Sequence, residues 1–290
     1  MSSVIKNINF YKTFLPLIYQ YLRNRDIQKI CCTSQAFFQI SILHSLKKEF
    51  FTLEDLGNFI HNNYSYLLKR GLSKKEFIDT VSKITLLLPG DVIAFFPLVA
   101  KLKTFRIQKI IIQVHEPISH FDLRNLFICC PNPQSLRIEN LAKKRKFTQL
   151  GLISKTKVRD LALRNFDLSE GCLKSFHSDV HTLKLPHCTL SKSLSVLASY
   201  HTLTSLDLTN TYINRTSLEE LTNIHSLNTL ILARNYEFNP EDIIEFLKKR
   251  SLDRLGVSST AVDIPSISIL RKLFPSVTLV NTYHLRRNSF

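Results

Sequence analysis

Apolar residues in the second two-thirds of the chain follow one repeated pattern, L-x-x-L-x-L-x-x-(N/C/T)-x-L. A clear copy runs from Val180 through Leu183 and Leu185 to Cys188 and Leu190. The second apolar position recurs every 22 to 25 residues, at Leu161, Leu183, Leu206, Leu230, Leu255 and Val277. Repeats of this length predict an array of small structural units that share one core.

Weaker copies extend the array towards the amino terminus. Leu136, Ile110 and Ile84 mark them at intervals of 25 or 26 residues. We therefore expect nine units within residues 81–285. Residues 51–80 contain no copy, and a capping-box pattern from Ser73 to Glu76 predicts connecting helices that close this end of the array.

Each unit is expected to contain a strand followed by a return segment. The L-x-L alternation is typical of a short strand with its leucines on one face. The stretch Pro240–Arg250 predicts a helix, with proline and acidic residues first and basic residues last. Stacking buries apolar edges that no single unit can bury alone, so the predicted fold class is an α/β solenoid. The pattern resembles that of leucine-rich-repeat proteins, which implies a horseshoe with a parallel sheet inside and helices outside.

The strand positions between the leucines face the concave side of such a horseshoe and form its natural contact surface. Their charges are mixed, which favours a protein substrate over a nucleic acid backbone. The alternative for each position is a solvated side chain with no partner. The predicted substrate-binding residues are Arg137, Glu139, Asp160, Arg164, Lys184, Asp207, Ile231 and Arg254.

Residues 8–50 lack the repeat and have the pattern of short amphipathic helices. An apolar stretch ends at Tyr21-Leu22, Asp26-Ile27 follows after a short gap, and Phe37 comes later. This order resembles the F-box, an all-α domain that docks the Skp-type adaptor of a cullin–RING ubiquitin ligase. The resemblance assigns adaptor binding to Phe10, Tyr11, Phe14, Leu15, Ile18, Tyr21, Leu22, Asp26, Ile27 and Phe37.

The match departs from the F-box pattern at its start. Phe10-Tyr11 stands where the family has Leu-Pro, and Pro16 should kink the first helix. Alternatively, Leu15-Pro16 is the motif and the first helix is shorter. A different interpretation is that residues 8–50 form only a helical cap, which an open solenoid requires.

Charge narrows the classes of partner. The chain has 39 Lys and Arg against 23 Asp and Glu, and residues 81–160 hold 14 basic and 5 acidic of these. Because the excess is local, a surface for nucleic acid or acidic membrane ranks last among the interpretations. A short basic run resembles a nuclear import signal, or else forms a solvated loop. It consists of Lys143, Lys144, Arg145 and Lys146.

Motifs for catalysis, cofactors and metals are missing from the sequence. It has no glycine-rich phosphate loop, no H-E-x-x-H and no G-x-S-x-G, and its six cysteines include no C-x-x-C pair. The most apolar stretch, Ile84–Ala100, is interrupted by two prolines, a glycine and an aspartate, so no membrane span is expected. We expect a non-enzymatic, cofactor-free intracellular protein of the cytoplasm, or of the nucleus if the basic run acts as a signal.

These features predict the substrate-recognition subunit of a Skp–cullin–F-box ubiquitin ligase. The F-box would dock the Skp-type adaptor, and the repeats would hold a protein substrate for ubiquitination. The alternative is a leucine-rich-repeat interaction scaffold, or a bacterial effector acting in host cytoplasm, with no link to a ubiquitin ligase.

Overall fold

Short parallel strands, one from each repeat, dominate the molecule. The computed structural model describes residues 51–52, 85–89, 107–114, 120–130, 132–141, 150–174, 179–190, 194–258, 260 and 262–280. The strands in these ranges are β1 (Phe51–Thr52), β2 (Thr85–Pro89), β3 (Lys109–Val114), β4 (Ser135–Asn140), β5 (Asp160–Arg164), β6 (Asp167–Leu168), β7 (Thr182–Lys184), β8 (Thr189–Leu190), β9 (Ser205–Asp207), β10 (Thr229–Ile231), β11 (Arg254–Gly256) and β12 (Thr278–Val280).

These strands form one long parallel sheet that follows the chain. Its ten strands lie in the order β1-β2-β3-β4-β5-β7-β9-β10-β11-β12, and β6 pairs with β8 in a separate two-stranded sheet. The parallel sheet and its helical return segments confirm the solenoid part of the predicted fold class. The sheet already begins at Phe51–Thr52, which pairs with Leu86 and Leu87 of β2. The F-box-like residues 8–50 and most of the connecting segment 51–80 lie outside the described residues.

The register between strands aligns a column of apolar residues. This leucine column supplies the core: its members from Ile110 to Leu255 are at most 1% exposed. It consists of Leu86, Ile110, Leu136, Leu161, Leu183, Leu206, Leu230, Leu255 and Leu279.

The predicted phase is confirmed from Ile110 to Leu255 and is wrong by two residues at both ends. The column contains Leu86 instead of Ile84, and Leu279 instead of Val277. Side chains alternate across a strand with a period of two, so a shift by two residues still turns an apolar side chain inward. The apolar pattern alone therefore does not distinguish the two registers.

Helices of differing length return the chain between strands. Helix capping explains where the later ones start: the Asn239 side chain accepts from the Asp242 amide, and Asp242 accepts from the Asn239 amide, each at 2.9 Å. Hydrogen bonds from Ser266 lower the pKa of Asp263, which caps the last helix. The helices within the described ranges are α1 (His120–Cys129), α2 (Leu150–Ile153), α3 (Glu170–Lys174), a 3₁₀ helix (Ser195–Ser199), α4 (Arg215–Leu221), α5 (Pro240–Lys249) and α6 (Ile264–Leu273).

Asn235 shows how the polar position of the repeat joins neighbouring units. Its side chain is buried, and Oδ1 accepts from the amides of Thr211 and Ile213, both at 3.1 Å. Its Nδ2 donates to the carbonyls of Leu208 at 2.8 Å and Leu232 at 3.0 Å. One amide side chain thus satisfies backbone groups of two consecutive repeats.

Replacing Asn235 with alanine should destabilise the solenoid. Asn235→Ala leaves buried backbone donors and carbonyls without their partner, and we expect a loss of about 2–4 kcal/mol in the free energy of unfolding. Urea denaturation followed by circular dichroism measures this loss. Asn228→Ala, at an exposed position directly before β10 of the same repeat, is the matched control, with a change within about 0.5 kcal/mol. Equal effects of the two substitutions would contradict the structural role of Asn235.

Candidate functional site

The face of the sheet opposite the leucine column carries the side chains that alternate with the leucines, and we call it the concave face because the resemblance to leucine-rich repeats implies that curvature. In β5, for example, Asp160, Ala162 and Arg164 are exposed or half-buried, while the intervening leucines are buried. Because the strands are in register about 4.8 Å apart, equivalent positions form rows across the sheet. The row we call the middle row contains Ile111, Arg137, Ala162, Lys184, Asp207, Ile231, Gly256 and Val280.

The row preceding the middle row is dominated by short hydroxyl side chains. Serine or threonine occupies five of its eight positions, so most side chains of this row are polar and extend only a short distance from the sheet. Its members are Lys109, Ser135, Asp160, Thr182, Ser205, Thr229, Arg254 and Thr278. A partner backbone can approach the sheet closely along such a row and find hydroxyl donors and acceptors.

Two arginines share one carboxylate at the β4–β5 end of the face. Arg164 Nη1 lies 2.8 Å from Glu139 Oε1, and Arg137 Nη2 lies 4.0 Å from Glu139 Oε2. The three side chains are between 14% and 29% exposed. Burial lowers the pKa of Arg137, Glu139 opposes this effect, and Arg164 adds to it. The cluster is therefore ordered and keeps a net positive charge at the concave surface.

Lys184 and Asp207 continue the charged part of the middle row on neighbouring strands. Lys184 is exposed. Asp207 is half-buried, and its Oδ1 accepts from the Thr209 amide at 2.9 Å and from the Thr209 hydroxyl at 2.6 Å. These bonds fix the orientation of the carboxylate before any partner arrives.

The middle row becomes apolar at its carboxyl-terminal end. Ile231 is half-buried, and its side chain lies over Gly256 of the next strand: a Cβ at Gly256 would be only 2.8 Å from Ile231 Cδ1. The missing side chain gives Ile231 room to lie against the sheet. Together with Val280, these residues form a shallow apolar shelf beside the charged rows.

All eight predicted substrate-binding residues lie on the strands of this face. The structure brings Arg137, Glu139 and Arg164 together and sets Lys184 beside Asp207, while Asp160 and Arg254 lie in the hydroxyl row. Their role in binding stays a prediction. The ten predicted adaptor-binding residues and the basic run Lys143–Lys146 lie outside the described residues.

Two exposed tyrosines beside the concave face were missed by the sequence reasoning. Tyr212 and Tyr236 each come six residues after a member of the leucine column. The same repeat phase that located the concave positions could have identified this recurrence.

The described part of the chain contains neither a metal-ligand cluster nor a membrane-spanning helix. No group of three or more His, Cys, Asp or Glu side chains there could hold a metal ion. None of the helices described is both long and apolar enough to cross a membrane.

Comparison with known proteins adds one structural likeness. No protein-family model and no curated protein matches the chain. A solved leucine-rich-repeat protein of Leptospira interrogans matches with a TM-score of 0.40 and 16% identity, over 72% of this chain and 57% of that one. The solenoid fold of the present chain rests on its own sheet register and buried leucine column.

Removing the shared carboxylate should destabilise the concave cluster. We expect Glu139→Gln to lower the free energy of unfolding by about 1–3 kcal/mol, because two partly buried guanidinium groups lose their common counter-charge. In a double-mutant cycle with Arg164→Gln, the coupling energy should exceed about 0.5 kcal/mol. Urea denaturation of the four proteins measures it.

The matched control is an exposed ion pair on α3. Lys174 Nζ and Glu170 Oε1 pair with side chains 63% and 40% exposed. The corresponding cycle for this pair should give no more than about 0.5 kcal/mol. A Glu139–Arg164 coupling no larger than that of the control would show that the concave cluster is not an ordered unit.

Proposed function

We propose that this chain is a protein-binding module that holds a partner on the concave face of its sheet. The observation that carries the proposal is the row geometry: charged, hydroxyl and apolar side chains stand in register on the parallel sheet, on the face opposite the leucine column. Mixed charges suit a protein surface, on which both signs occur, better than a uniform phosphate backbone.

The length of the face fits an extended segment of a partner protein. A segment of about 12 residues reaches roughly 40 Å when extended. Crossing the strands at their spacing of about 4.8 Å, it would span about eight of them. Such a segment could contact the arginine–glutamate cluster at one end and the apolar shelf of Ile231 and Val280 at the other.

More specifically, the chain would act as the substrate-recognition subunit of a Skp–cullin–F-box ubiquitin ligase. The support for this step is the F-box resemblance of residues 8–50, which precede a leucine-rich-repeat array in sequence. In this role the chain makes no bonds itself. It raises the local concentration of substrate lysines near a ubiquitin-conjugating enzyme, which is catalysis by positioning.

The second candidate is an interaction scaffold without any ubiquitin-ligase link. It is favoured by the position of β1, which begins at Phe51 directly after residues 8–50. A segment that precedes the first described strand in sequence can serve solely as the cap that an open solenoid needs. The two candidates share the concave face and differ only in whether the first fifty residues have a partner of their own.

Adaptor binding separates the two candidates. We expect the full-length chain to co-precipitate a purified Skp-type adaptor and the double variant Leu22→Asp/Ile27→Asp to lose it, since both positions correspond to apolar F-box contacts. Unchanged thermal unfolding of the repeats, followed by circular dichroism, is the control for folding. If the unsubstituted chain recovers no adaptor, the ligase role is wrong and the scaffold remains.

Charge reversal on the concave face tests partner binding itself. Peptides of about 12 residues, long enough to cross the face, would be selected from a random phage-displayed library against the full-length chain and measured by fluorescence anisotropy. We expect Lys184→Glu and Arg254→Glu to weaken the selected peptides at least about tenfold, equivalent to about 1.4 kcal/mol. Both side chains are exposed, so neither substitution should affect folding.

Lys248→Glu is the matched control for these charge reversals. Lys248 is an exposed lysine of α5, where it pairs with Glu245 away from the sheet. This variant should bind the peptides as the unsubstituted chain does. Peptides that respond equally to all three substitutions sense only total charge, which would contradict a specific concave site.

A further inference from the structure

Two tyrosines project into solvent at the edge of the concave face. Tyr212 is 73% exposed and Tyr236 is 63% exposed. Each directly follows the buried polar residue of its repeat, Thr211 or Asn235. They therefore occupy the same sequence position in consecutive repeats, five residues beyond the strands β9 and β10. Exposed tyrosines are enriched in interface hot spots.

The loop that contains Tyr212 is held by the buried side chain of Asn235 in the next repeat. Asn235 Oδ1 accepts from the amides on either side of it, those of Thr211 and Ile213, both at 3.1 Å. Tyr212 itself has a left-handed backbone, with φ of 57°. Residues other than glycine adopt this conformation only at an energetic cost, and such strain persists where the surroundings enforce it. The backbone at Tyr212 is thus fixed in advance, so a partner has to order only the side chain.

Arg234 places a cation on the segment that joins β10 to Tyr236. The sheet hydrogen bonds continue past the strands, from the Asn210 amide to the Ala233 carbonyl and from the Arg234 amide to the Ser258 carbonyl. Arg234 lies two residues before Tyr236 and is half-buried. None of the ion pairs among the described residues involves it.

We propose that Tyr212, Tyr236 and Arg234 anchor the protein segment bound to the concave face. This tyrosine edge would take a proline or aliphatic side chain against the two rings and a neighbouring carboxylate at Arg234. The inference rests on the proposed function, because it extends the same interface to the loops that follow the carboxyl ends of β9 and β10. Rigid tyrosine rings supply large contact area at low conformational cost, whereas the low hydroxyl rows supply little.

The peptides selected on the full-length chain are the probe for this site. We expect them to share an acidic residue next to a proline or aliphatic residue. Tyr212→Ala and Tyr236→Ala should each weaken binding roughly tenfold or more, as expected for hot-spot aromatics. Tyr212→Phe and Tyr236→Phe should retain most of the affinity because the ring makes the contact. Ile264→Ala is the matched control, since this residue is 80% exposed on α6.

A fluorescence reporter can test contact directly. The chain contains no tryptophan, so Tyr236→Trp introduces a single tryptophan, at the proposed site, as the fluorescent reporter. Its emission should shift to shorter wavelength when a selected peptide is added, and acrylamide should quench it less. An Ile264→Trp variant should show neither change.

The outcomes separate this inference from the proposed function. Peptides that lose affinity with Lys184→Glu but not with the tyrosine variants overturn the tyrosine edge and leave the concave face standing. If only the tyrosine variants lose affinity for the peptides, the tyrosine edge is the binding site and the proposal of a concave site is wrong. If Tyr212→Ala instead abolishes self-association in sedimentation velocity, the edge joins two copies and the inference is overturned. Failure to select any peptide overturns both proposals.

Discussion

Each repeat depends on its neighbours because its leucines are buried only when units stack. Leu206, which is fully buried, lies between Leu183 and Leu230 of the adjacent strands. Burying one leucine contributes about 1.5–3 kcal/mol, whereas ordering the backbone of each residue costs about 1–2 kcal/mol. A unit of 22 to 25 residues with a few inward leucines therefore cannot fold alone. Parallel register is what combines these small gains into one core.

The same constraint leaves the concave face open to other uses. Because alternate side chains of a strand point to opposite faces, the leucine column stabilises the solenoid without involving the middle row. Polar residues of the core then transmit rigidity to the surface: Asn235 holds backbone groups of its own repeat and the preceding one. Side chains such as Lys184 and Tyr212 consequently stand on a fixed frame although they contribute little to it.

The leucine spacing predicted the central strands and the shared core. The leading proline and the terminal charges of the stretch Pro240–Arg250 predicted α5. The pairing of Glu139 with Arg164 was also within reach, since both lie three residues after a member of the leucine column. That Arg137 shares the same carboxylate was not, because this depends on side-chain rotamers and burial. The left-handed backbone at Tyr212 was not within reach, because residues other than glycine rarely adopt it. The predicted register of the first and last repeats was wrong by two residues, because an apolar pattern with a period of two is unchanged by a shift of two residues.

Charge and contact divide along the chain in a way that bears on how a partner would bind. Residues 81–160 hold the basic excess, whereas residues 161–290 carry 14 basic and 12 acidic groups. Because the charges of residues 161–290 nearly cancel, the later repeats attract a partner only weakly. Screening at physiological salt limits this attraction to a range of about 8 Å. Their apolar shelf and tyrosine edge act by contact, which slows dissociation, whereas a basic region speeds encounter with an acidic segment. A partner lying across both halves would therefore associate at a rate set by the early repeats and leave at a rate set by the later ones.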